Sequence, residues 1–287
     1  MKILISGSNG MLAQDLIEEF KKDNELILAD KDLLDITNKD NVFMFLEKEK
    51  PEIVINASAY TAVDNAEDED QKNICFKINA DGVMNLAEAC SKNNITFIHY
   101  STDYVFDGNN SSGYKEEDIA GEAKNHYGYS KYTGEQNILQ IAKLNPTFIY
   151  YIIRISWLYG KSGKNFVKTM LSLSETKPEI NVINDQHGNP TYAVDVAKRT
   201  KYILENKLEK GIYHATNEGT TTWYDFTKEI FRLKNINTKV NPVSSDQYIT
   251  KAKRPTYSML INTKIDPKMR SWKEALAEFL NGKSNWL

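Results

Sequence analysis

The chain has 287 residues, of which 41% are hydrophobic and 26% are charged, so it can bury a large core and has the composition of a globular protein. Its net charge of −3, from 36 basic and 39 acidic residues, argues against a nucleic-acid-binding protein and against an acidic tail. No apolar run reaches the ~18 residues of a membrane span, and the N-terminal run is too short for a signal peptide, so we expect a cytoplasmic protein with no membrane contact.

Short apolar strands alternate with amphipathic helices over the first half of the chain. The first strand, 3–6, breaks at Gly7 and leads into a helix with Leu12, Leu16 and Phe20 on one face. Further strands are predicted at 25–29, 53–55, 96–100 and 147–155, and helices at 39–50, 73–93 and 127–141. Alternation of this kind predicts right-handed crossovers and a parallel sheet, and apolar runs are typical of strands covered on both faces.

The regular alternation of strands and helices ends after Trp157. Helices are predicted at 165–174, 194–206, 224–233 and 271–280, with one short strand at 182–183. These elements predict a smaller substrate-binding lobe over 157–287 that is docked on the first half and partly interleaved with its sheet.

A glycine pattern, Gly7-x-x-Gly10-x-x-Ala13, joins the first strand to the first helix. Gly7 permits a tight turn, Gly10 lets backbone N–H groups approach a pyrophosphate at the helix N-terminus, and Ala13 allows close helix packing. The position between a strand and a helix is the context that this motif requires. The sequence therefore predicts an α/β fold with a doubly wound parallel sheet (Rossmann) over 1–156.

Asp30, at the end of the second strand, is suited to accept hydrogen bonds from the ribose hydroxyls of NAD. Lys31 beside it would instead attract a 2′-phosphate, so NADPH and NADH both stay open. Small residues at 56–59 leave room for the cofactor. The expected cofactor contacts are Gly7, Asn9, Gly10, Met11, Leu12, Asp30, Asp35, Ile36, Ala57, Ala59, Tyr60, Tyr127 and Lys131.

Tyr127 and Lys131 are four residues apart, so on a helix they share one face. Reduction of a carbonyl develops negative charge on its oxygen, which a proton donor must meet. A lysine ammonium lowers the pKa of a nearby tyrosine, which is ~10 when free, and can also bind the nicotinamide ribose. The hydroxyl of Thr102 would position the carbonyl. We therefore predict Thr102, Tyr127 and Lys131 as the catalytic residues of a nicotinamide-dependent reductase.

Several longer segments carry a family resemblance. They include Ser-Thr-Asp-Tyr-Val-Phe at 101–106, Ser-Trp-Leu-Tyr-Gly at 156–160, Asn-Phe-Val-Lys-Thr-Met at 165–170 and Arg-Pro at 254–255. On these segments the chain resembles the extended short-chain dehydrogenase/reductase family over nearly its whole length. Within that family it is most similar to reductases of dTDP-linked 4-keto sugars, which serve cell-surface polysaccharide synthesis.

The resemblance implies a dTDP-sugar substrate and a set of residues that contact it. These are Thr61, Thr102, Asp103, Tyr104, Trp157, Asn165 and Arg254. Some family members dimerise through a divalent ion. Asp15 could take part, but a full acidic set is not matched in this sequence, so we predict no metal site and leave a homodimer open.

Three other functions stay open. A reductase of a related nucleotide deoxysugar would share every motif, because one hydroxyl contact can decide between such sugars. An epimerase of the same fold would hold NAD permanently. A non-catalytic regulatory subunit would need no triad, whereas Thr102, Tyr127 and Lys131 are all present here.

Overall fold

A central parallel sheet organises the computed structural model, which describes residues 1–282. The strands are β1 Lys2–Ser6, β2 Glu25–Ala29, β3 Ile53–Asn56, β4 Thr96–Thr102, β5 Tyr150–Ile155, β6 Leu158–Tyr159, β7 Glu179–Ile183, β8 His187–Gly188, β9 Thr191–Tyr192, β10 Gly211–His214, β11 Thr221–Thr222 and β12 Lys239–Val243. Within the described residues, six of these strands form one sheet in the order β10-β5-β4-β3-β1-β2, and all its neighbours are parallel. This is the predicted α/β fold.

The helices cover both faces of this sheet. They are α1 Met11–Phe20, α2 Lys39–Glu49, α3 Glu69–Phe76, α4 Gly82–Lys92, α5 His126–Leu144, α6 Phe166–Thr176, α7 Ala193–Glu205, α8 Trp223–Lys234 and α9 Trp272–Asn281. Successive residues of β1 point to opposite faces, so Ile3 and Ile5 join a core with α1 and α7 while Leu4 joins a core with α2, α4 and α5. The sheet is therefore doubly wound, as predicted.

A third core lies in the second half of the chain. Residues of α6, α8 and α9 pack there with β7 and β12, and Phe226, Trp272 and Phe279 are nearly fully buried in it. Strand β10 nevertheless belongs to the central sheet, where it pairs with β5. The division of the chain at residue 156 stays a prediction.

Some element boundaries differ from those predicted. The helix expected at 73–93 begins at Glu69 and contains a π-helical segment, Lys77–Asp81, between α3 and α4. The strand expected from residue 147 begins at Tyr150, because the side chain of Asn145 accepts a hydrogen bond from the backbone of Thr147 and forms a turn. Strands β10 and β12 were not predicted, since runs of four or five residues that pair with distant strands carry little periodic signal.

No helix of the described residues combines the length and the apolar character needed to cross a lipid bilayer. Both cysteines, Cys75 and Cys90, are buried free thiols.

A buried ion pair joins α5 to β5. Arg154 donates from Nε and Nη2 to the two carboxylate oxygens of Glu135, at 2.9 and 2.7 Å. Arg154 is 2% exposed and Glu135 is fully buried. The guanidinium also lies 4.9 Å from the ring centre of Phe106. Because each charge would be costly to bury alone, the pair fixes where α5 lies along the sheet.

Replacing Glu135→Gln should lower the free energy of unfolding by about 3–5 kcal/mol, because Arg154 would keep a buried charge without a counter-charge. The measurement is urea unfolding followed by circular dichroism. The double variant Glu135→Leu/Arg154→Met should lose less than the sum of the two single variants. A Glu135→Gln variant as stable as the wild type would contradict this account.

Candidate active site

Two adjoining cavities open at the carboxyl ends of β1, β3 and β4. The first, here the turn cavity, has a volume of about 580 Å³ and lies against Gly7, Asp30 and Ile36. The second, here the tyrosine cavity, has a volume of about 460 Å³ and lies against Thr102, Tyr127 and Lys131. Both are lined by Gly10, Ala57, Ser58 and Ala59, so they share one wall. The carboxyl edge of an open parallel sheet is where ligands of such folds bind.

The glycine turn shapes the first cavity. Gly7 has φ of +68°, and a Cβ atom there would lie 2.7 Å from the backbone of Ser58, so only glycine fits. Gly10 precedes α1, and no side chain caps the start of this helix. The first N–H groups of α1 therefore stay available to an anion. Together with the two-part cavity, this arrangement fits a dinucleotide.

Asp30 lies at the rim of the turn cavity and is held by its own loop. Its Oδ1 accepts hydrogen bonds from the backbone of Asp32 and Leu33, both at 3.1 Å, and its Oδ2 accepts one from Asn9 at 3.3 Å. The exposed Lys31 lines the same cavity. A carboxylate and an ammonium group thus both lie where the sequence predicts contact with the cofactor ribose.

Nearly all the predicted cofactor contacts line one cavity or the other. Those in the turn cavity or the shared wall are Gly7, Asn9, Gly10, Asp30, Asp35, Ile36, Ala57 and Ala59, and those in the tyrosine cavity include Met11, Leu12, Tyr127 and Lys131. Tyr60 lines neither cavity. Its backbone is bonded to Asn79 in both directions and its hydroxyl donates to Gln71, so the contact predicted for it has no geometric support.

The three predicted catalytic residues come together. Thr102 ends β4, and its hydroxyl donates to Oδ1 of Asp103 at 2.9 Å. Tyr127 and Lys131 lie on the first turns of α5, which begins at the capping side chain of Asn125. Lys131 donates from Nζ to the carbonyl oxygen of Tyr100 at 2.5 Å. All three predicted residues line the tyrosine cavity.

Burial dominates the protonation of these groups. It raises the pKa of the Tyr127 phenol above its usual range, and the neighbouring Thr102 hydroxyl lowers it by less. Burial also lowers the pKa of Lys131 to about 8. Lys131 is not among the groups that lower the pKa of Tyr127 in this structure, where its amine donates to the Tyr100 carbonyl, whereas the sequence predicted such a lowering. Burial raises the pKa of Asp103 to about 7, against the effect of Ser258 and Thr102.

The residues predicted to contact the substrate divide into two groups. Thr61, Thr102, Asp103 and Trp157 line the tyrosine cavity. The other three do not line it. Tyr104 packs edge-on against Tyr127, with ring centres 6.1 Å apart.

Two of the three residues that do not line the tyrosine cavity are held by other contacts within the protein. Asn165 is the N-cap of α6, since its Oδ1 accepts from the backbone of Lys168 and its Nδ2 donates to the carbonyl of Gly160. Arg254 forms a two-bond ion pair with Asp64, at 3.0 and 2.7 Å. Both side chains therefore have contacts within the protein, and the contact of each with a nucleotide sugar stays a prediction.

Other residues of the tyrosine cavity were missed. Lys164 lines it and is exposed at its rim. Ser101 and Ser156 also line it; each begins one of the segments that carry the family resemblance, but neither was assigned a role. Lys164 immediately precedes the Asn-Phe-Val-Lys-Thr-Met segment at 165–170. Its place next to a segment that carries the family resemblance is the feature of the sequence that could have identified it.

Trp157 packs against two neighbours. It adopts φ of +43°, and its ring stacks on Trp223 with centres 3.4 Å apart and planes 6° from parallel. Gly188 also lies close to this ring, since a Cβ atom on it would lie 2.3 Å from an atom of the Trp157 indole. Trp223 is not among the residues predicted to contact the substrate, so its stacking on Trp157 is a finding of the structure.

Comparison with known proteins agrees with this geometry. The sequence model of the family described as "RmlD substrate binding domain" matches residues 1–284. A dTDP-4-dehydrorhamnose reductase of Aggregatibacter actinomycetemcomitans is 40% identical, over 96% of this chain and 97% of that protein. The crystal structure of a dTDP-4-dehydrorhamnose reductase ortholog of Clostridium acetobutylicum is 42% identical, with a TM-score of 0.91 over 98% of both chains. That of the dTDP-4-dehydrorhamnose reductase of Bacillus anthracis, in complex with NADP, is 38% identical, with a TM-score of 0.91 over 97% of this chain and 98% of that chain.

Asp15 stands beside the site on α1. Its Oδ2 is buried and has no hydrogen-bond partner among the described residues. Burial raises the pKa of Asp15 to about 6, and the charge of Lys161 opposes this only in part. No group of three or more potential metal-ligating side chains that could hold an ion occurs within residues 1–282.

Asp15→Asn should therefore stabilise the protein at alkaline pH. In the wild type the fold disfavours the carboxylate, so its cost is absent below 3.8, the ordinary pKa of an aspartate, grows as the pH rises through about 6, and is complete above it. Because the group is partly exposed, we expect a gain of about 1 kcal/mol at pH 8 and little gain at pH 4. Urea unfolding at both pH values measures it, and an equal effect at the two would contradict the account.

Proposed function

Because the chain belongs to the RmlD substrate-binding-domain family, within the extended short-chain dehydrogenases/reductases, we propose that it reduces the 4-keto group of dTDP-4-dehydro-L-rhamnose to give dTDP-L-rhamnose. The observation that carries the proposal is the convergence of Thr102, Tyr127 and Lys131 on one cavity that shares a wall with a second cavity at the glycine turn. The identity of the proposed sugar is taken from the names of the relatives. The electron donor is NADPH or NADH.

In this proposal Tyr127 is the proton donor. A nicotinamide cofactor, when bound, supplies a hydride to the carbonyl carbon. The phenol of Tyr127, kept protonated by its raised pKa, then gives its proton to the carbonyl oxygen. The Thr102 hydroxyl orients that oxygen, and Lys131 stabilises the phenolate that is left.

The remaining contacts follow from the two cavities. The open start of α1 at Gly10 would hold the pyrophosphate, and Asp30 with Lys31 would read the 2′ position of the ribose. Thr61 and Trp157 would contact the sugar. Lys164 supplies a positive charge that suits the diphosphate of the substrate. Arg254 would approach the same group with the N–H donors that its pair with Asp64 does not use.

Two finer expectations accompany the proposal. They are a cytoplasmic location, which cell fractionation tests, and assembly as a homodimer, which light scattering of the purified protein tests.

The decisive experiment is an assay of NADPH and NADH oxidation against a panel of 4-keto nucleotide sugars. We expect dTDP-4-dehydro-L-rhamnose to be reduced with stoichiometric loss of the reduced cofactor. Folded protein that oxidises neither cofactor with this sugar would refute the proposal. If the protein reduces only a different dTDP-linked 4-keto sugar, the proposed reaction stands and the proposed substrate is wrong.

Tyr127→Phe should lower kcat by roughly 10²-fold or more, because it removes the proton donor and keeps the ring. Cofactor affinity should change little. Lys131→Met should weaken both kcat and cofactor affinity, since that side chain has two roles. Tyr129→Phe, at an exposed tyrosine of the same helix, is the matched control and should leave both unchanged. Near wild-type turnover by Tyr127→Phe would show that the acid lies elsewhere.

Asp30→Asn should shift the preference from NADH towards NADPH, because it removes the charge that repels a 2′-phosphate and can keep the hydrogen bonds to Asp32 and Leu33. Lys31 is exposed, so its opposing attraction is worth about 1 kcal/mol or less and weakens in salt. We expect the wild type to discriminate by no more than about tenfold.

The measurement is kcat/KM for each cofactor at low and high ionic strength. Higher salt should favour NADH in the wild type. A preference above about a hundredfold for either cofactor, or an unchanged ratio in Asp30→Asn, would show that the 2′ position is read elsewhere.

A further inference from the structure

A buried chain of hydrogen bonds leads from the first strand to Lys131. Ser6 donates from Oγ to Oδ1 of Asn56 at 2.9 Å, and the backbone N–H of Ser58 donates to the same oxygen at 3.0 Å. Nδ2 of Asn56 lies 3.1 Å from Nδ1 of His99, and Nε2 of His99 lies 3.2 Å from Nζ of Lys131. Asn56, His99 and Lys131 are at most 2% exposed, so water does not compete for these bonds.

The backbone of Ser58 fixes the direction of the chain. A backbone N–H can only donate, so the atom of Asn56 that faces it must be the oxygen, and the amide NH₂ faces His99. Nδ1 of His99 must therefore accept. A neutral imidazole carries one N–H, which is then on Nε2 and points to Lys131. A doubly protonated ring would set two donors against each other at Asn56.

This direction has a consequence for the charge of Lys131. An ammonium group has three donors and no acceptor, whereas a neutral amine has two donors and one lone pair. The amine can donate to the Tyr100 carbonyl at 2.5 Å and accept the Nε2–H of His99 at the same time. An ammonium group would face the N–H of His99 as a second donor.

The other groups around Lys131 do not reverse this preference. Glu135, one turn along α5, favours the ammonium, but its carboxylate is already paired with Arg154. Cys75, on α3, acts in the same direction and by less. Burial outweighs both and lowers the pKa of Lys131, and burial together with the charge of Lys131 lowers the pKa of His99.

We propose that His99 is a positioning residue that donates its Nε2–H to Lys131, so that the neutral amine of Lys131 forms more readily than that of a free lysine and, at mildly alkaline pH, takes up a proton from solvent when the cofactor binds. His99 acts only through Lys131, since it does not line the tyrosine cavity. Asn56 sets the direction of the bond. The proton uptake rests on the proposed function, whereas the state of the cofactor-free protein does not.

The first test is nitrogen NMR of the histidine rings in cofactor-free wild-type protein. We expect His99 to be neutral with the proton on Nε2. In lysine-labelled protein, one signal should titrate with a midpoint near pH 8, and it should disappear in Lys131→Arg. A proton on Nδ1 of His99, or a Lys131 midpoint at or above its ordinary value, would overturn the proposal.

The second test reverses the chain with Asn56→Asp, which has nearly the same shape. A carboxylate at this position accepts from Nδ1–H, so the proton leaves Nε2 and the ring accepts from a Lys131 ammonium. We expect the midpoint of Lys131 to rise by at least about one pH unit. Ser6→Ala is the matched control, since it removes one bond to the same amide and keeps the direction of the others. An unchanged midpoint in a folded Asn56→Asp would count against the proposal.

The third test is calorimetry of NADPH binding at pH 8 in buffers of different ionisation enthalpy. Where the pH equals the Lys131 midpoint found in the first test, about half a proton should be taken up per cofactor by the wild type, because half of the side chains are then neutral. Uptake should vanish in Lys131→Met. Should Asn56→Asp fail to fold, the wild-type ring and calorimetric results decide. These readouts need no sugar, so inactivity towards every sugar would refute only the proposed function.

Discussion

The ion pair between Arg154 and Glu135 determines where α5 lies, and the candidate site depends on the position of α5. Two charges removed from water are tolerated only when they meet, so the pair leaves few alternatives for the register of α5 against β5. Glu135 lies one helical turn beyond Lys131. The position of the lysine amine beneath the cavity therefore follows from a contact that takes no part in the proposed chemistry.

Two glycines let α5 approach its neighbours closely enough for this. A Cβ atom on Gly134 would lie 2.3 Å from the carbonyl oxygen of Asn79, and one on Gly128 would lie 2.3 Å from that of Tyr104. The backbone of the π-helical segment at Asn79 and the backbone at Tyr104 therefore lie directly against α5 at its two glycines. The segment after β3 that contains Tyr60 is joined to the same assembly, because Asn79 donates both to Ser130 and to the carbonyl of Tyr60.

Features with a local cause could be predicted from the sequence. The glycine turn, the alternation of strands and helices, and the spacing of Tyr127 and Lys131 all depend on neighbours within one or two turns, and their predicted arrangement agrees with the structure. Features with a distant cause could not. The ion pair of Arg254 joins residues 190 positions apart, and the stack of Trp157 on Trp223 joins two segments of unrelated pattern. Asn165 is an intermediate case, since a helix start after asparagine is a recognisable capping signal that a substrate role had obscured.

The protonation of Lys131 also lay beyond sequence reasoning. A lysine one turn from a tyrosine suggests a permanent positive charge, but burial and the directed bond from His99 act against that charge. Only the three-dimensional chain from Ser6 through Asn56 determines which atom of the ring carries the proton.

The support of Trp157 lies on different parts of the chain from the support of Tyr127. Gly188 and Trp223 hold the indole from the second half, whereas β4 and α5 hold Thr102 and the phenol. Substitutions around the indole can therefore change the shape of the tyrosine cavity while the surroundings of Tyr127 stay the same. Such a protein can acquire a new specificity during evolution in small steps, without passing through an ancestor that has lost the reaction.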